Sequence, residues 1–336
     1  MENGVNREIR LAARPVGFPK DSDFELAETP IPEPGEGEVL VRNVYMSVDP
    51  YMRSRMIDRK SYVPSFRIGE PLTGGAVGQV VESRSDALAV GDWVNSMQGW
   101  REYYTADGGA LMKLDPELVP VSKALGVLGL TGWTAYVGLL DLGQPKEGET
   151  VFVSAASGAV GSIVGQLAKL KGCRAIGIAG GPEKCAMVVD ELGFDAAIDY
   201  REEDVKKALR GHAPDGIDVY FDNVGGEILD AALARLAFNA RVVICGAISQ
   251  YNSTERMRGP SNYMSLLVNH ASMTGFLVFH YASRYAEGAR QMGEWVAADK
   301  LQAKEDVVSG IEQFPQALLK LFEGTNDGKL VLAVRD

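Results

Sequence analysis

Six consecutive residues, Ala156-Ser157-Gly158-Ala159-Val160-Gly161, have the types and spacing that bring a backbone against a phosphate. In such a turn, a residue without a bulky side chain lets the chain tighten. Gly158 lets the backbone approach a pyrophosphate, and Gly161 lets the following helix pack closely on a sheet. The helix start then offers N–H groups and the positive end of its dipole. Ala156 stands where the usual pattern has its first glycine. By themselves these residues also suit a tight strand-to-helix turn that binds nothing. The setting favours a ligand: a β-branched run over 150–155 precedes the turn and a helical pattern over 158–171 follows it, as a dinucleotide fingerprint requires.

A dinucleotide without a 2′-phosphate is usually held by an Asp or Glu at the end of the second strand, about 20 residues past the glycines. Here that stretch reads Ile176-Gly177-Ile178-Ala179-Gly180-Gly181-Pro182, with no carboxylate, and Lys184 follows. A lysine there can pair with a 2′-phosphate as a point charge. The expected cofactor is therefore NADPH/NADP+. The plainer alternative for Lys184 is a solvated lysine at a helix start.

The elements that must position these residues alternate. Strands are expected at 174–179, 196–199, 218–222 and 241–246, with a helix over 183–192 stopped by Gly193. Strand–helix alternation implies a doubly wound parallel sheet with helices on both faces. The chain before Ser122 reads differently. A strand over 37–44 follows the Pro/Gly run 30–37, another covers 76–81, and a turn enters a short strand over 90–94. Glycine and proline punctuate this part closely, which suits a small, irregular barrel. A helix over 314–322 and a last apolar strand over 329–334 close the chain. A lone strand must add to an existing sheet, so the chain is expected to return to its first domain.

Composition sets the outer bounds. The chain has 336 residues, 46% of them hydrophobic, which is more than one core usually holds. A net charge of -11 without a Lys/Arg cluster argues against a nucleic-acid partner. The first 20 residues are polar and interrupted by Pro15 and Pro19, and no apolar run approaches the roughly 18 residues of a membrane helix. The expectation is a cytoplasmic protein with no membrane partner. Cys173, Cys185 and Cys245 form no CxxC pair and no disulfide framework, and read as small packed side chains.

Several motifs in order carry a resemblance. They are Val48-Asp49-Pro50-Tyr51-Met52-Arg53, Gly91-Asp92-Trp93-Val94, Gly129-Leu130-Thr131-Gly132-Trp133-Thr134-Ala135-Tyr136, the glycine turn, and Phe221-Asp222-Asn223-Val224-Gly225-Gly226. Cys245-Gly246-Ala247-Ile248-Ser249-Gln250-Tyr251-Asn252 and Gly324-Thr325-Asn326-Asp327-Gly328-Lys329 complete the set. Over nearly its whole length the chain resembles the zinc-independent medium-chain dehydrogenases/reductases: the leukotriene B4 dehydrogenase, prostaglandin reductase and alkenal double-bond reductase group. Within it the chain is most similar to the bacterial curcumin reductase branch, through 143–149 and 292–296. The resemblance implies an α/β fold: a GroES-like β-barrel catalytic domain, 1–124 with 305–336, and a Rossmann NADP(H)-binding domain, 125–304. It implies that Gly158, Ala159, Val160 and Gly161 face the pyrophosphate and that Lys184 and Tyr200 hold the 2′-phosphate. Asn223, Cys245 and Tyr251 would line the cofactor crevice, Phe276, Leu277 and Val278 the nicotinamide, and Asn326 would reach in from the C-terminal segment. Asn223 is also a good turn former before two glycines, and 276–278 also suits ordinary core. A homodimer is implied by the resemblance alone.

Zinc relatives of this fold need Cys and His ligands. No cysteine lies in the first third of this chain, and His212, His270 and His280 all lie beyond the expected catalytic domain, so no metal site is expected. A conjugated carbonyl can be reduced without a metal if donors stabilise the enolate oxygen. The expected reaction is NADPH-dependent reduction of the carbon–carbon double bond of an α,β-unsaturated ketone or aldehyde. Tyr51 is the first choice for orienting substrate or donating a proton, with a structural hydrogen bond as its alternative. Arg53 suits a cofactor contact or a surface charge. A tyrosine that some relatives carry a few residues before the Gly-Phe pair is matched here by Val268, with Tyr263 nearby but out of register. The competing readings are a quinone reductase on the same fold and an NADPH-binding sensor with idle chemistry.

Overall fold

The computed structural model of the protein describes residues 4–117, 119–256 and 258–334. Its strands and helices, in chain order, begin with β1 (Val5–Leu11), β2 (Phe24–Pro30), β3 (Glu38–Ser47), α1 (Tyr51–Arg55), β4 (Ala76–Ser83), β5 (Trp93–Ser96), β6 (Tyr103–Asp107) and β7 (Met112–Leu114). Then come α2 (Leu130–Tyr136), β8 (Thr150–Ser154), α3 (Ala159–Leu170), β9 (Arg174–Ala179), α4 (Pro182–Asp190), β10 (Ala196–Asp199) and α5 (Val205–His212). After these lie β11 (Ile217–Asp222), α6 (Gly226–Leu233), β12 (Leu236–Ile244), α7 (Met264–Val268), β13 (Ser272–Gly275) and α8 (Tyr285–Ala297). β14 (Glu305–Ser309), α9 (Phe314–Glu323) and β15 (Lys329–Ala333) close the chain. The chain divides into two compact units.

The first unit holds the described residues up to Leu125 together with Glu305–Thr325 and those from Leu330 onward. Its seven-stranded sheet runs β14-β15-β3-β4-β5-β7, with β6 also paired to β3, and β1 and β2 form a separate antiparallel pair. The lone last strand is thus accounted for: β15 pairs antiparallel with β3, Val331 opposite Ser47. Ile9, Met46, Met52, Trp100, Phe314 and Leu332 are buried in one core, with the Trp100 and Phe314 rings 3.9 Å apart. β1 and β2 carry no apolar run that announces them. In VNREIRL the buried residues are Asn6, Glu8, Ile9 and Leu11, and FELAETP has no buried residue, so neither strand shows a clean apolar alternation.

The second unit holds Gly126–Lys304 and, from the C-terminal segment, Asn326–Lys329. Those four residues were expected with the first domain. Its six-stranded parallel sheet has the order β10-β9-β8-β11-β12-β13. That is the doubly wound order, with its switch point between β8 and β11. Val151, Val153, Phe221 and Val243 bury one face of the sheet against α3, and Phe152, Ile176, Tyr220 and Val242 bury the other. β9 and β10 have the limits expected from sequence. β12 starts five residues before the expected Arg241. Asn239 sits there at φ +62 and gives its N–H to the Asn269 carbonyl, a kink that makes the opening of the strand read as loop. No helix among the described residues is long and apolar enough to cross a membrane.

Candidate functional site

The glycine turn lies in the second unit at the carboxyl end of β8. Gly158 closes the turn by donating its N–H to the Ala155 carbonyl at 2.9 Å, and it caps α3 without any side-chain bond to the first helical N–H groups. Those donors, in the first turn with Ala159, Val160 and Gly161, are what a phosphate takes up. A Cβ on Gly161 would stand 2.2 Å from the Ala155 carbonyl oxygen, so only hydrogen fits. Ala156 replaces the first glycine without penalty because Gly177 faces it from β9; a Cβ on Gly177 would lie 2.6 Å from that of Ala156. The left-handed backbone falls on Ala155 instead, at φ +51.

At the end of β9, Gly180 leaves room for two side chains from beyond β10. A Cβ there would meet the Tyr200 hydroxyl at 2.7 Å and the Arg201 Nε at 3.0 Å. The nearest carboxylate, Asp199, is buried and turned onto backbone, accepting from Gly181 N at 2.9 Å and Arg201 N at 3.0 Å. It therefore does not stand where a ribose hydroxyl would be read. Lys184, in the first turn of α4, donates to the Asn326 carbonyl. The Asn326 amide bonds the Gly328 carbonyl at 3.0 Å, and Gly328 N reaches the Ser157 carbonyl at 3.3 Å. The structure thus brings Asn326 beside both Lys184 and the glycine turn, through its main chain rather than its side chain. Arg201 was not singled out from sequence. Its signal was a cation directly after Tyr200 at the end of the third strand.

At the switch point, β8 and β11 end side by side. Asn223 donates its backbone N–H to the Ser154 hydroxyl and its amide Nδ2 to the Ser154 carbonyl, each at 2.8 Å. Cys245 follows β12, its N–H bonded to the Asp222 carbonyl at 2.8 Å. Burial first, then the Asp222 carboxylate, pushes the Cys245 thiol up to about 12, so it is neutral at physiological pH. The Tyr251 hydroxyl accepts from Ala247 N at 3.2 Å and lies over Gly246, where a Cβ would approach it to 3.1 Å. Beyond β13, the Phe276 ring packs edge-on to Phe221 and Tyr281, Val278 is buried, and the Leu277 carbonyl accepts from His280 N at 3.0 Å. Val268 and Tyr263 are largely exposed.

Tyr51 belongs to the first unit, in α1. Its hydroxyl is buried and, among the described residues, makes no hydrogen bond of good geometry, with Arg55 as its polar neighbour. Burial first, then Asp49, raises the phenol well above its ordinary value, against a lowering by Arg55. Arg55 is fixed by donating to the Pro64 carbonyl at 3.0 Å and the Thr73 carbonyl at 3.1 Å, and it lies 4.0 Å over the Phe66 ring. Arg53 is not a surface charge. It is 3% exposed and donates to the Pro15 and Gly17 carbonyls.

The chain thus contains a dinucleotide-type parallel sheet in one unit and a mainly antiparallel β structure in the other. Comparison with known proteins agrees. Residues 7–114 match a family described as the N-terminal domain of oxidoreductase, and 159–297 match one described as zinc-binding dehydrogenase. The NADPH-dependent curcumin reductase of Escherichia coli is 46% identical over 98% of this chain and 97% of its own. The NADP(+)-dependent 2-alkenal reductase of Nicotiana tabacum is 45% identical over 99% and 98%. A crystal structure of CurA from Vibrio vulnificus in complex with NADPH superposes with a TM-score of 0.94 at 47% identity, over 98% of this chain and 99% of that one. This chain belongs to the medium-chain dehydrogenase/reductase family, in its zinc-independent group, with a GroES-like N-terminal domain and a Rossmann domain. Zinc does not fit its residues. Among those described, no three His, Cys, Asp or Glu side chains are grouped to hold a metal ion, and Cys173, Cys185 and Cys245 are separate thiols.

Proposed function

We propose that this protein reduces the carbon–carbon double bond of α,β-unsaturated ketones and aldehydes with NADPH and without zinc. The observation that carries the reading is the cationic end of β9, where Lys184 and Arg201 stand and no carboxylate is presented, in a chain similar throughout to reductases named for NADPH and for curcumin or 2-alkenals. The dinucleotide, when bound, supplies a hydride. The first-turn N–H groups of α3 hold its pyrophosphate. Lys184, Arg201 and the Tyr200 hydroxyl hold the 2′-phosphate as charged and neutral donors. Asn223, Cys245, Tyr251 and the 276–278 backbone line the crevice at the strand ends, and Asn326 braces Lys184. As hydride adds to the β carbon, charge moves to the carbonyl oxygen, where a donor stabilises the transition state, and a proton then reaches the α carbon to complete the saturated product. Tyr51 is our candidate for that donor. Its raised pKa keeps the phenol intact, and among the described residues its hydroxyl makes no well-formed hydrogen bond, Arg55 being its polar neighbour.

We place the enzyme in the cytoplasm, where its three free thiols stay reduced. We assign it a homodimer. β13 is bonded to β12 on one side only and its four residues are exposed, and Met264, Leu267, Val268 and Met273 expose apolar surface around it.

The test is cofactor consumption by purified protein with an enone panel, one quinone and one saturated ketone. Turnover of enones with NADPH preferred and the saturated ketone inert supports the reading. Turnover of the quinone alone moves the assignment to quinone reduction, and binding without any turnover leaves a sensor.

A further inference from the structure

Asp222 is 0% exposed at the end of β11 and has no place in the chemistry so far described. Its Oδ1 collects four donors: the Tyr220 hydroxyl at 2.7 Å, the Ser154 hydroxyl at 3.0 Å, Val224 N at 3.0 Å and Gly225 N at 2.9 Å. Its Oδ2 has none. A buried carboxylate is costly unless its partners are well placed, so this one has a strong effect on what surrounds it. The two backbone donors hold the turn between β11 and α6, which passes through Gly225 at φ +69 and Gly226 at φ +59.

The Ser154 bond has a directional consequence. The Ser154 hydroxyl lies nearer to Asp222 Oδ1, at 3.0 Å, than to the Phe221 carbonyl, at 3.5 Å, with the Tyr220 hydroxyl also in reach, and its oxygen accepts from Asn223 N. The Ser154 carbonyl then takes the Asn223 amide Nδ2. An amide whose nitrogen is fixed has its oxygen fixed too. Asn223 Oδ1 takes no bond from the described residues and is left as a pure acceptor at the switch point, where dinucleotides lie in such sheets.

We infer that Asp222 and Ser154 are a buried positioning pair that sets Asn223 with its amide oxygen presented to a hydroxyl or amide N–H donor of the bound dinucleotide. The inference rests on the NADPH reading above. Tyr220 shares the same carboxylate but leads away from the crevice: its ring stacks on Phe152, 5.1 Å between centroids, inside the core. That separates positioning from mere stability.

The experiment compares Ser154→Ala with Tyr220→Phe, each losing one hydroxyl donor to Asp222. Both are measured for NADPH affinity by nucleotide fluorescence and for thermal unfolding. The expected result is a Kd raised about tenfold, which is about 1.4 kcal/mol, for Ser154→Ala and within about twofold of wild type for Tyr220→Phe. Both variants should lower the unfolding midpoint. Asp222→Asn should weaken NADPH at least as much as Ser154→Ala. Equal shifts in Kd for the two hydroxyl variants, or no shift in either, overturn the inference and leave the NADPH reading intact. If wild-type protein does not bind NADPH, that reading fails and this inference fails with it.

Discussion

At the scale of single residues, charge state separates the roles. Of the two polar residues proposed above, Lys184 is assigned a role by charge and Tyr51 a role by hydrogen bonding. Losing a charged donor to phosphate costs about 1.5–3 kcal/mol, so Lys184→Ala should raise KM for NADPH roughly tenfold to a hundredfold and leave KM for NADH nearly unchanged. Steady-state kinetics with both cofactors check this. Tyr51→Phe should act on kcat instead, with NADPH affinity unchanged, if the phenol serves only the transition state. Because the Tyr51 pKa is raised, its phenol stays protonated across the working range. The Tyr51→Phe rate deficit should therefore stay constant between pH 6 and 9 in a kcat–pH series. Cys245 gives a stability prediction. Its folded thiol, at about 12, holds its proton where an unfolded thiol near 9.0 has lost it. The folded state then binds more protons, so stability is complete below pH 9 and falls as pH rises toward 12. Unfolding midpoints from pH 8 to 11 should decline, and less steeply in Cys245→Ala.

At the scale of elements, α3 makes two demands on glycine that differ in kind. A Cβ on Gly161 would press a backbone oxygen in the turn, whereas one on Gly165 would enter the Phe194 ring in the core, 1.7 Å from its nearest carbon. Overpacking of this kind costs about 1–3 kcal/mol. Both Gly161→Ala and Gly165→Ala should lower the unfolding midpoint, and only Gly161→Ala should also lose NADPH affinity by tenfold or more. The glycine turn was legible in sequence because its constraint is steric and local. β9 and β10 were legible because polar, Gly-containing segments bracket short apolar runs. β13 was not, since Ser272–Gly275 is exposed and has no apolar period to read. Nor was the Asp222–Ser154 pairing. It depends on β11 lying against β8 with Phe221 opposite Val153, and no spacing along the chain reports that register. Arg201 carries a sequence signal, a cation directly after Tyr200, but its place beside Gly180, just past β9, is set by the pairing of β10 with β9.

At the scale of the whole molecule, the exposed β13 edge predicts self-association. Light scattering on eluted protein should give the mass of two chains. Val268→Lys with Leu267→Glu, which charges two residues 75% and 73% exposed, should give the mass of one without unfolding the second unit. The pairing of β15 with β3 bears on how the protein is made. Ser47 and Val331 are partners separated by 284 residues. At about 5–20 residues per second, a ribosome takes roughly 15–60 s to cross that distance. All six strands of the parallel sheet have been synthesised by then, while the second half of β3 still has a bare edge. The newborn chain thus leaves that edge of β3 exposed for longest, and slowed translation of the last codons should increase its demand for chaperones.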